Sequence, residues 1–194
     1  KVRDDESMRE TAESDKTFGV LVPIIVRPCD GGGYEIISGH RRKRACELAG
    51  IDAMPAIVRE LDDDAATIVM VDSNLQRENI LPSERAQAYK MKLEAMKRQG
   101  QRSDLTSAPL EPKLKGSRSN EELAASSPDS RSQIQRYIRL TELIPPVLDM
   151  VDSSKIAFRP AVELSYLSKE QQQSLYDTME CEDCTPSLAQ AIKM

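Results

Sequence analysis

Tryptophan is absent, aromatic residues make up only 4% of the 194 residues, and histidine occurs once. A core must therefore come from Leu, Ile, Val, Met and Ala. A zinc site built on several imidazoles is excluded. Four cysteines, Cys29, Cys46, Cys181 and Cys184, lack the even spacing of a disulfide framework, so reduced thiols in a cytoplasm are expected. The pair Cys181-Glu182-Asp183-Cys184 lacks two further zinc ligands, and its acidic flanks disfavour a thiolate. No apolar run approaches the roughly 20 residues that span a bilayer, and the opening Lys1-Val2-Arg3-Asp4-Asp5-Glu6 is no signal peptide. Secretion and membrane insertion are not expected. The chain starts at lysine, not methionine, and an excised piece of a longer protein is the expectation.

What is present is a foldable chain, 39% hydrophobic and 30% charged, enough for one large domain or two small ones. The net charge of −5 hides a segregation. Arg41-Arg42-Lys43-Arg44 places four cations in a row. Residues 113–139 hold six basic side chains against three acidic, whereas 140–194 hold four against nine. Binding a polyanion needs a local positive surface, not a basic whole, and two such loci exist.

The first hundred residues alternate strand-like and helix-like patterns. Val20–Val26 is a β-branched run that Pro23 consigns to an edge or bulge, and Gly31-Gly32-Gly33 turns into a second strand, Tyr34–Ser38. A helix from about Arg41 to Ala49 follows, with Gly50 as its C-terminal cap, and Met54–Val58 reads as a third strand. Asp62-Asp63-Asp64 supplies the N-cap of a helix with Ile68, Val71 and Leu75 on its apolar face, rather than a metal cluster. Pro82 opens a further helix along the seam Ala86, Tyr89, Leu93 and Met96. Residues 99–117 shift to Gln, Gly, Ser, Thr and Pro, as a linker does. From 118 to 194 the pattern is helical throughout, with one helix running from Ser130 to about Leu143 until Pro145-Pro146 stops it. The expected organisation is an α/β domain over 1–98, a linker over 99–117 and an all-α domain over 118–194.

Cations in the first turn of a helix oppose its dipole at about 0.3–1 kcal/mol each. The sequence Gly39 followed by Arg41-Arg42-Lys43-Arg44 becomes favourable when an anion docks there. Free backbone N–H groups, close approach at a glycine and guanidinium forks together make a phosphate cradle. The bland alternative is a solvated basic turn. The physics leaves open whether the phosphate belongs to a nucleotide or to DNA.

Ser38-Gly39-His40-Arg41-Arg42-Lys43-Arg44-Ala45 resembles the G-E-R-R-x-R-A box of the ParB/Spo0J/Noc family of chromosome- and plasmid-partitioning proteins. Asn74-Leu75-Gln76-Arg77-Glu78-Asn79-Ile80-Leu81-Pro82-Ser83-Glu84 resembles that family's E-N-x-Q-R-E-x-L-x-P-x-E box, and Gly19–Arg27 is similar to its first box. The resemblance implies a ParB/sulfiredoxin-like first domain that binds CTP with Mg²⁺, closes a clamp around DNA and slowly hydrolyses the nucleotide. By position, Gly39, His40, Arg41, Arg42, Arg44 and Ala45 would hold the triphosphate, and Asn74 would help coordinate the metal. Two departures stand out: His40 replaces the box's Glu, and Ser73 replaces the Glu before the Asn. The second removes a charge from a site where Mg²⁺ wants hard oxygen ligands. No catalytic residue is assigned, and His40 is weighed as a hydrogen-bonded loop residue against an acid–base role.

Ala124, the turn at Pro128, Ile134 and Tyr137 follow helix-turn-helix spacing, although most such turns carry Gly. With Ile134, Tyr137, Ile138 and Thr141 inward, the outer face shows Arg131, Ser132, Gln133, Gln135, Arg136 and Arg139. Arg pairs bidentately with guanine and Gln with adenine. Ser130 caps the helix, and Lys113, Lys115 and Arg118 just upstream suit backbone phosphates. An ordinary bundle helix is the competing reading. The resemblance implies a homodimer on a palindromic centromere-like double-stranded site, a partition ATPase as partner, no membrane, and a cytoplasmic, nucleoid-associated location. It also implies a separate C-terminal dimerisation domain, for which the sequence shows no candidate. Two alternatives remain open. One is a helix-turn-helix transcriptional or nucleoid regulator with a degenerate nucleotide pocket. The other is a phosphotransferase or nuclease of the sulfiredoxin-like fold. Sulfiredoxin itself needs a cysteine where this loop has Ser38 or His40, and a metal nuclease needs clustered carboxylates.

Overall fold

The computed structural model describes residues 4, 6–77, 79–106, 117–182 and 184–193, with the backbone alone for 100–106, 117 and 118. The chain divides into two compact units, Lys1–Ser73 and Asn74–Met194.

The first unit is built on a three-stranded sheet in the order β2-β1-β3. Its strands are β1 (Ile24–Pro28), β2 (Tyr34–Ser38) and β3 (Ala56–Val58). β1 pairs antiparallel with β2, with a register irregularity at Ile25/Val26, and parallel with β3. Ile24 and Val26 alternate into the core of the unit, as a half-buried strand requires. The expected strand over Val20–Val26 starts four residues late. Leu21 and Val22 are exposed, Pro23 has no N–H to give a ladder, and pairing begins only where the Ile24 N–H reaches the Pro55 carbonyl at 3.1 Å.

Helix α1 (Glu6–Phe18) precedes the sheet, α2 (His40–Ala49) follows β2, and α3 (Asp63–Leu75) follows β3. α1 is unanticipated, because its charged sequence offers only Met8 and Ala12 at i, i+4 spacing; both bury against Ala45 of α2. Gly50 caps α2 in the left-handed region, and Asp62 Oδ1 accepts the Ala65 N–H at 2.7 Å, which makes it the N-cap of α3.

The second unit is helical: α4 (Pro82–Thr106), α5 (Ser117–Ala125), α6 (Arg131–Leu140), α7 (Pro145–Asp152), α8 (Phe158–Leu164), α9 (Lys169–Glu182) and α10 (Leu188–Ala191). α4 extends through Thr106, into the stretch expected to be linker; residues 107–116 lie outside the described ones. The division also falls before α4 rather than at residue 98. The reason is packing, since Tyr89 and Leu93 of α4 share a core with Leu123 and Ile134. Asp152 supplies a tertiary cap for α4, accepting the Ser83 N–H at 3.0 Å and its hydroxyl.

α6 ends at Leu140, three residues short of the expected Leu143, and Pro145 opens α7 as its first residue. The turn between them is held by Gln172, which is 1% exposed. Its Oε1 accepts the Ile144 N–H at 2.8 Å, and its Nε2 donates to the Leu167 carbonyl at 3.0 Å and the Glu142 carbonyl at 3.2 Å. A buried amide with every group satisfied fixes a turn without leaving an unmet polar atom.

Candidate functional site

In the first unit, β2 delivers the chain to Gly39, which occupies the N-cap position of α2 at φ 107° with no side-chain cap. A Cβ at Gly39 would lie 2.5 Å from Ile24 Cγ2. Both backbone sign and space therefore demand glycine there. The uncapped start of α2 presents backbone N–H groups at the positive end of the helix dipole.

The four following cations separate around the helix. Arg42 Nη1 donates back to the Val22 carbonyl at 2.7 Å and the Pro23 carbonyl at 2.5 Å, tying the loop before β1 to α2. Arg44 meets both carboxylate oxygens of Asp4, at 3.0 and 2.6 Å, and Glu47 at 3.2 Å. Those bonds hold the Arg44 guanidinium firmly charged and keep the Asp4 carboxyl below the ordinary aspartate range. Lys43 pairs with Glu47 at 3.3 Å, and Arg41 Nη2 lies 3.5 Å from Ser7 Oγ. His40 is exposed, on the rim of an open groove of about 470 Å³ that Tyr34, Lys43 and Arg44 also line. Ala45 is fully buried among Met8 and Ala12, so it offers no exposed surface to a ligand.

Ser38 Oγ and Ser73 Oγ share a hydrogen bond of 2.5 Å, closing β2 onto α3. Asn74 is exposed near the end of α3. Among the described residues no group of three or more His, Cys, Asp or Glu could hold a metal ion. Of the donors here, the Ser73 hydroxyl is engaged by Ser38 and the Asn74 amide is neutral, so charge for Mg²⁺ from this turn of α3 would have to come from the adjacent Asp72. The described cysteines are free thiols, with Cys181 and Cys184 exposed.

In the second unit, α5 and α6 form the helix-turn-helix. Ser130 Oγ accepts the Gln133 N–H at 3.3 Å and caps α6. Ile134 is 1% exposed, packed with Tyr89, Leu93 and Leu123, while Ala124, Tyr137 and Ile138 close the same core. The turn itself is pinned, because the Tyr89 hydroxyl donates to Asp129 Oδ2 at 2.6 Å. Burial together with that carboxylate drives the Tyr89 phenol well above the ordinary tyrosine value. The sequence carries no signal for this pin, because Tyr89 and Asp129 lie forty positions apart.

On the outer face Arg131, Ser132, Gln135 and Arg136 are exposed, and Gln133 is half-buried. Arg131 touches Glu121 at 3.4 Å and Gln135 donates to Asn120 at 3.0 Å, weak tethers that a nucleic acid would displace. Arg139 differs: it is turned onto Ser165 and Tyr166. Arg118 lies in α5, described by its backbone only, and Lys113 and Lys115 lie outside the described residues.

Comparison with known proteins agrees with this layout. A family described as the ParB N-terminal domain matches residues 1–75, and the ParB HTH domain matches residues 115–185. The chromosome-partitioning protein Spo0J of Thermus thermophilus is 34% identical over 166 residues, covering 86% of this chain and 54% of that protein. The stage 0 sporulation protein J of Bacillus subtilis is 44% identical over 140 residues, covering 72% of this chain and 42% of its own length. The chain thus spans about half the length of the curated relatives it matches. A C-terminally truncated ParB from Caulobacter crescentus, crystallised with the centromeric parS site, shares the fold at TM-score 0.62 and 24% identity, covering 100% of this chain and 88% of that one. With a ParB N-terminal domain leading into a ParB helix-turn-helix domain, the chain belongs to the ParB/Spo0J/Noc family of partitioning proteins.

Proposed function

We propose that this chain is the nucleotide-responsive, DNA-reading part of a partition protein, in which the first unit binds CTP and the second recognises a palindromic centromere-like duplex. The observation that carries this reading is α6. It is capped by Ser130, locked inward by Ile134, and leaves Arg131, Ser132, Gln135 and Arg136 exposed on its outer face. That is the arrangement a helix needs to enter a major groove, with guanine- and adenine-pairing side chains forward. A palindrome calls for two copies, so the reading includes a homodimer. Family resemblance adds a partition ATPase as partner and a place on the nucleoid.

For the nucleotide, support comes from Gly39, whose geometry admits no side chain, and from the uncapped N-terminus of α2. Gly39 and the N–H groups of His40 and Arg41 would take phosphate oxygens, with Arg41, Arg42 and Arg44 supplying charge. Arg42 and Arg44 are committed to protein acceptors in this structure, so phosphate must replace carbonyl and carboxylate oxygens. Ser73 and Asn74 offer only neutral donors, with Asp72 the adjacent carboxylate, and no hydrolytic step is derived. That same commitment of the arginines favours a second reading, a DNA-binding regulator whose nucleotide pocket has lapsed.

Equilibrium binding of labelled CTP, with ATP, GTP and UTP as competitors and with or without a parS duplex, separates the two. CTP-selective binding that the duplex strengthens, lost in Arg41→Ala while DNA recognition stays intact, is the expected result. DNA binding without binding of any nucleotide selects the second reading. Failure to bind either one overturns both.

A further inference from the structure

Arg139 stands on α6 at the end of a stripe, Ser132, Gln135, Arg136 and Arg139, spaced i, i+3, i+4 and i+7 on one helical face. The first three side chains are exposed, whereas the Arg139 guanidinium is fixed. Its Nε donates to Ser165 Oγ at 3.1 Å and its Nη2 to the Ser165 carbonyl at 2.9 Å. Ser165 is 2% exposed and terminates α8, and its own hydroxyl donates to the Val162 carbonyl at 2.6 Å. The support under the guanidinium is therefore rigid. Above it lies Tyr166, with the guanidinium carbon 4.2 Å from the ring centroid. Tyr166 is 66% exposed, a large aromatic face left in solvent beside Arg139.

The side-on edge of the guanidinium, Nε and Nη2, is consumed by Ser165, while Nη1 has no hydrogen-bond partner among the described residues. Drawn back onto the α8 terminus, this cation cannot reach forward to the base edges that Arg131 and Arg136 face. It keeps a fixed charge, the unengaged N–H donors of Nη1 and an aromatic backing that lowers its hydration. A cation ordered before binding loses little conformational entropy when an anion arrives. We infer that Arg139, seated by Ser165 and stacked on Tyr166, is a preorganised anchor for a DNA backbone phosphate, and that the Tyr166 turn extends the DNA surface beyond the helix-turn-helix. The inference rests on the DNA-binding reading above. Arg139 binds and Tyr166 and Ser165 position it, so the anchor contributes affinity without sequence preference.

The test measures affinity of the full chain for a parS duplex and a scrambled duplex of equal length, across a salt series, for Arg139→Gln, Tyr166→Ala and Tyr166→Phe. Circular dichroism and thermal midpoints accompany each variant. Arg139→Gln is expected to weaken both duplexes by the same factor, roughly three- to tenfold, and to reduce the salt slope by about one. Tyr166→Ala, which empties no core, should weaken both duplexes less, and Tyr166→Phe should restore the wild-type value because the stacked ring is kept. An unchanged slope in a folded Arg139→Gln, or weakening confined to parS, overturns the phosphate anchor. Wild-type affinity in Tyr166→Ala overturns the positioning role, and decides the matter alone if Arg139→Gln fails to fold. A wild-type chain that binds neither duplex instead sinks the DNA-binding reading on which this inference stands.

Discussion

In α2 four cations are consecutive, so at about 100° per residue they leave the helix in four directions. Arg42 goes back to loop carbonyls, Lys43 to Glu47, and Arg44 to Asp4 and Glu47. In α6 the cations are spread through ten residues, at Arg131, Arg136 and Arg139, and two of the three stay exposed. The cations of α2 are thus mostly bonded to protein oxygens, whereas Arg131 and Arg136 of α6 stay exposed. On the proposed reading, the exposed cations of α6 are open to a duplex, while those around the start of α2 are held by neighbouring oxygens that a phosphate would have to displace. Both helices begin with backbone donors, but α6 has Ser130 as a side-chain cap and α2 has none. The uncapped terminus is the one proposed to meet an anion.

The largest effect that would break this comparison is Gly39→Ala. A residue forced to φ 107° costs about 1–3 kcal/mol. The overlap of its Cβ with Ile24, at 2.5 Å, adds about 1–3 kcal/mol. Urea unfolding should show the first unit weakened by about 2–6 kcal/mol with the helical unit unmoved, and CTP binding lost. An unchanged first transition would mean that the loop tolerates a side chain and the cradle is not built on glycine. Next come Arg131→Ala and Arg136→Ala, each expected to reduce parS affinity by about 1–3 kcal/mol while sparing the scrambled duplex. Retained affinity in both, read by fluorescence anisotropy, would remove α6 as the reader. Tyr89→Phe follows: losing the bond to Asp129 should cost about 1 kcal/mol of stability in the helical unit, seen as a lower urea midpoint.

Much of this architecture was legible in the residues. Tyr34–Ser38, the Gly50 cap, the Asp62 cap and the Pro82 start are local signals, and each sits where its own chemistry requires. The two helices proposed to bind are marked by local patterns too, Gly39 before a cationic run and Ser130 before an arginine-bearing helix. What stayed hidden depends on tertiary partners. α1 has too few apolar residues to announce itself and exists by packing Met8 and Ala12 on Ala45. The stretch after Arg98 reads as linker by composition, yet α4 continues to Thr106. Glu47 could have been found at i+3 and i+4 from Arg44 and Lys43. Asp4 could not, since no local pattern brings a residue forty positions away onto Arg44.

The smallest expected effect concerns that contact and sharpens the contrast most. The hydrogen bonds from Arg44 lower the Asp4 pKa, with slight burial acting the other way. A carboxyl depressed in the fold stabilises above its unfolded value and loses that contribution as pH falls through its folded value, so the window lies below about pH 4. Acid unfolding of the wild type should therefore begin to converge on that of Asp4→Asn only in that range, with the two differing little at neutral pH because the pair is open to solvent. At neutral pH Asp4 is ionised and occupies the guanidinium that a triphosphate would use. Asp4→Asn should accordingly bind CTP somewhat more tightly, with parS affinity unchanged. Weaker CTP binding in that variant would show the opposite role, a carboxylate that aims Arg44 at the nucleotide instead of competing with it.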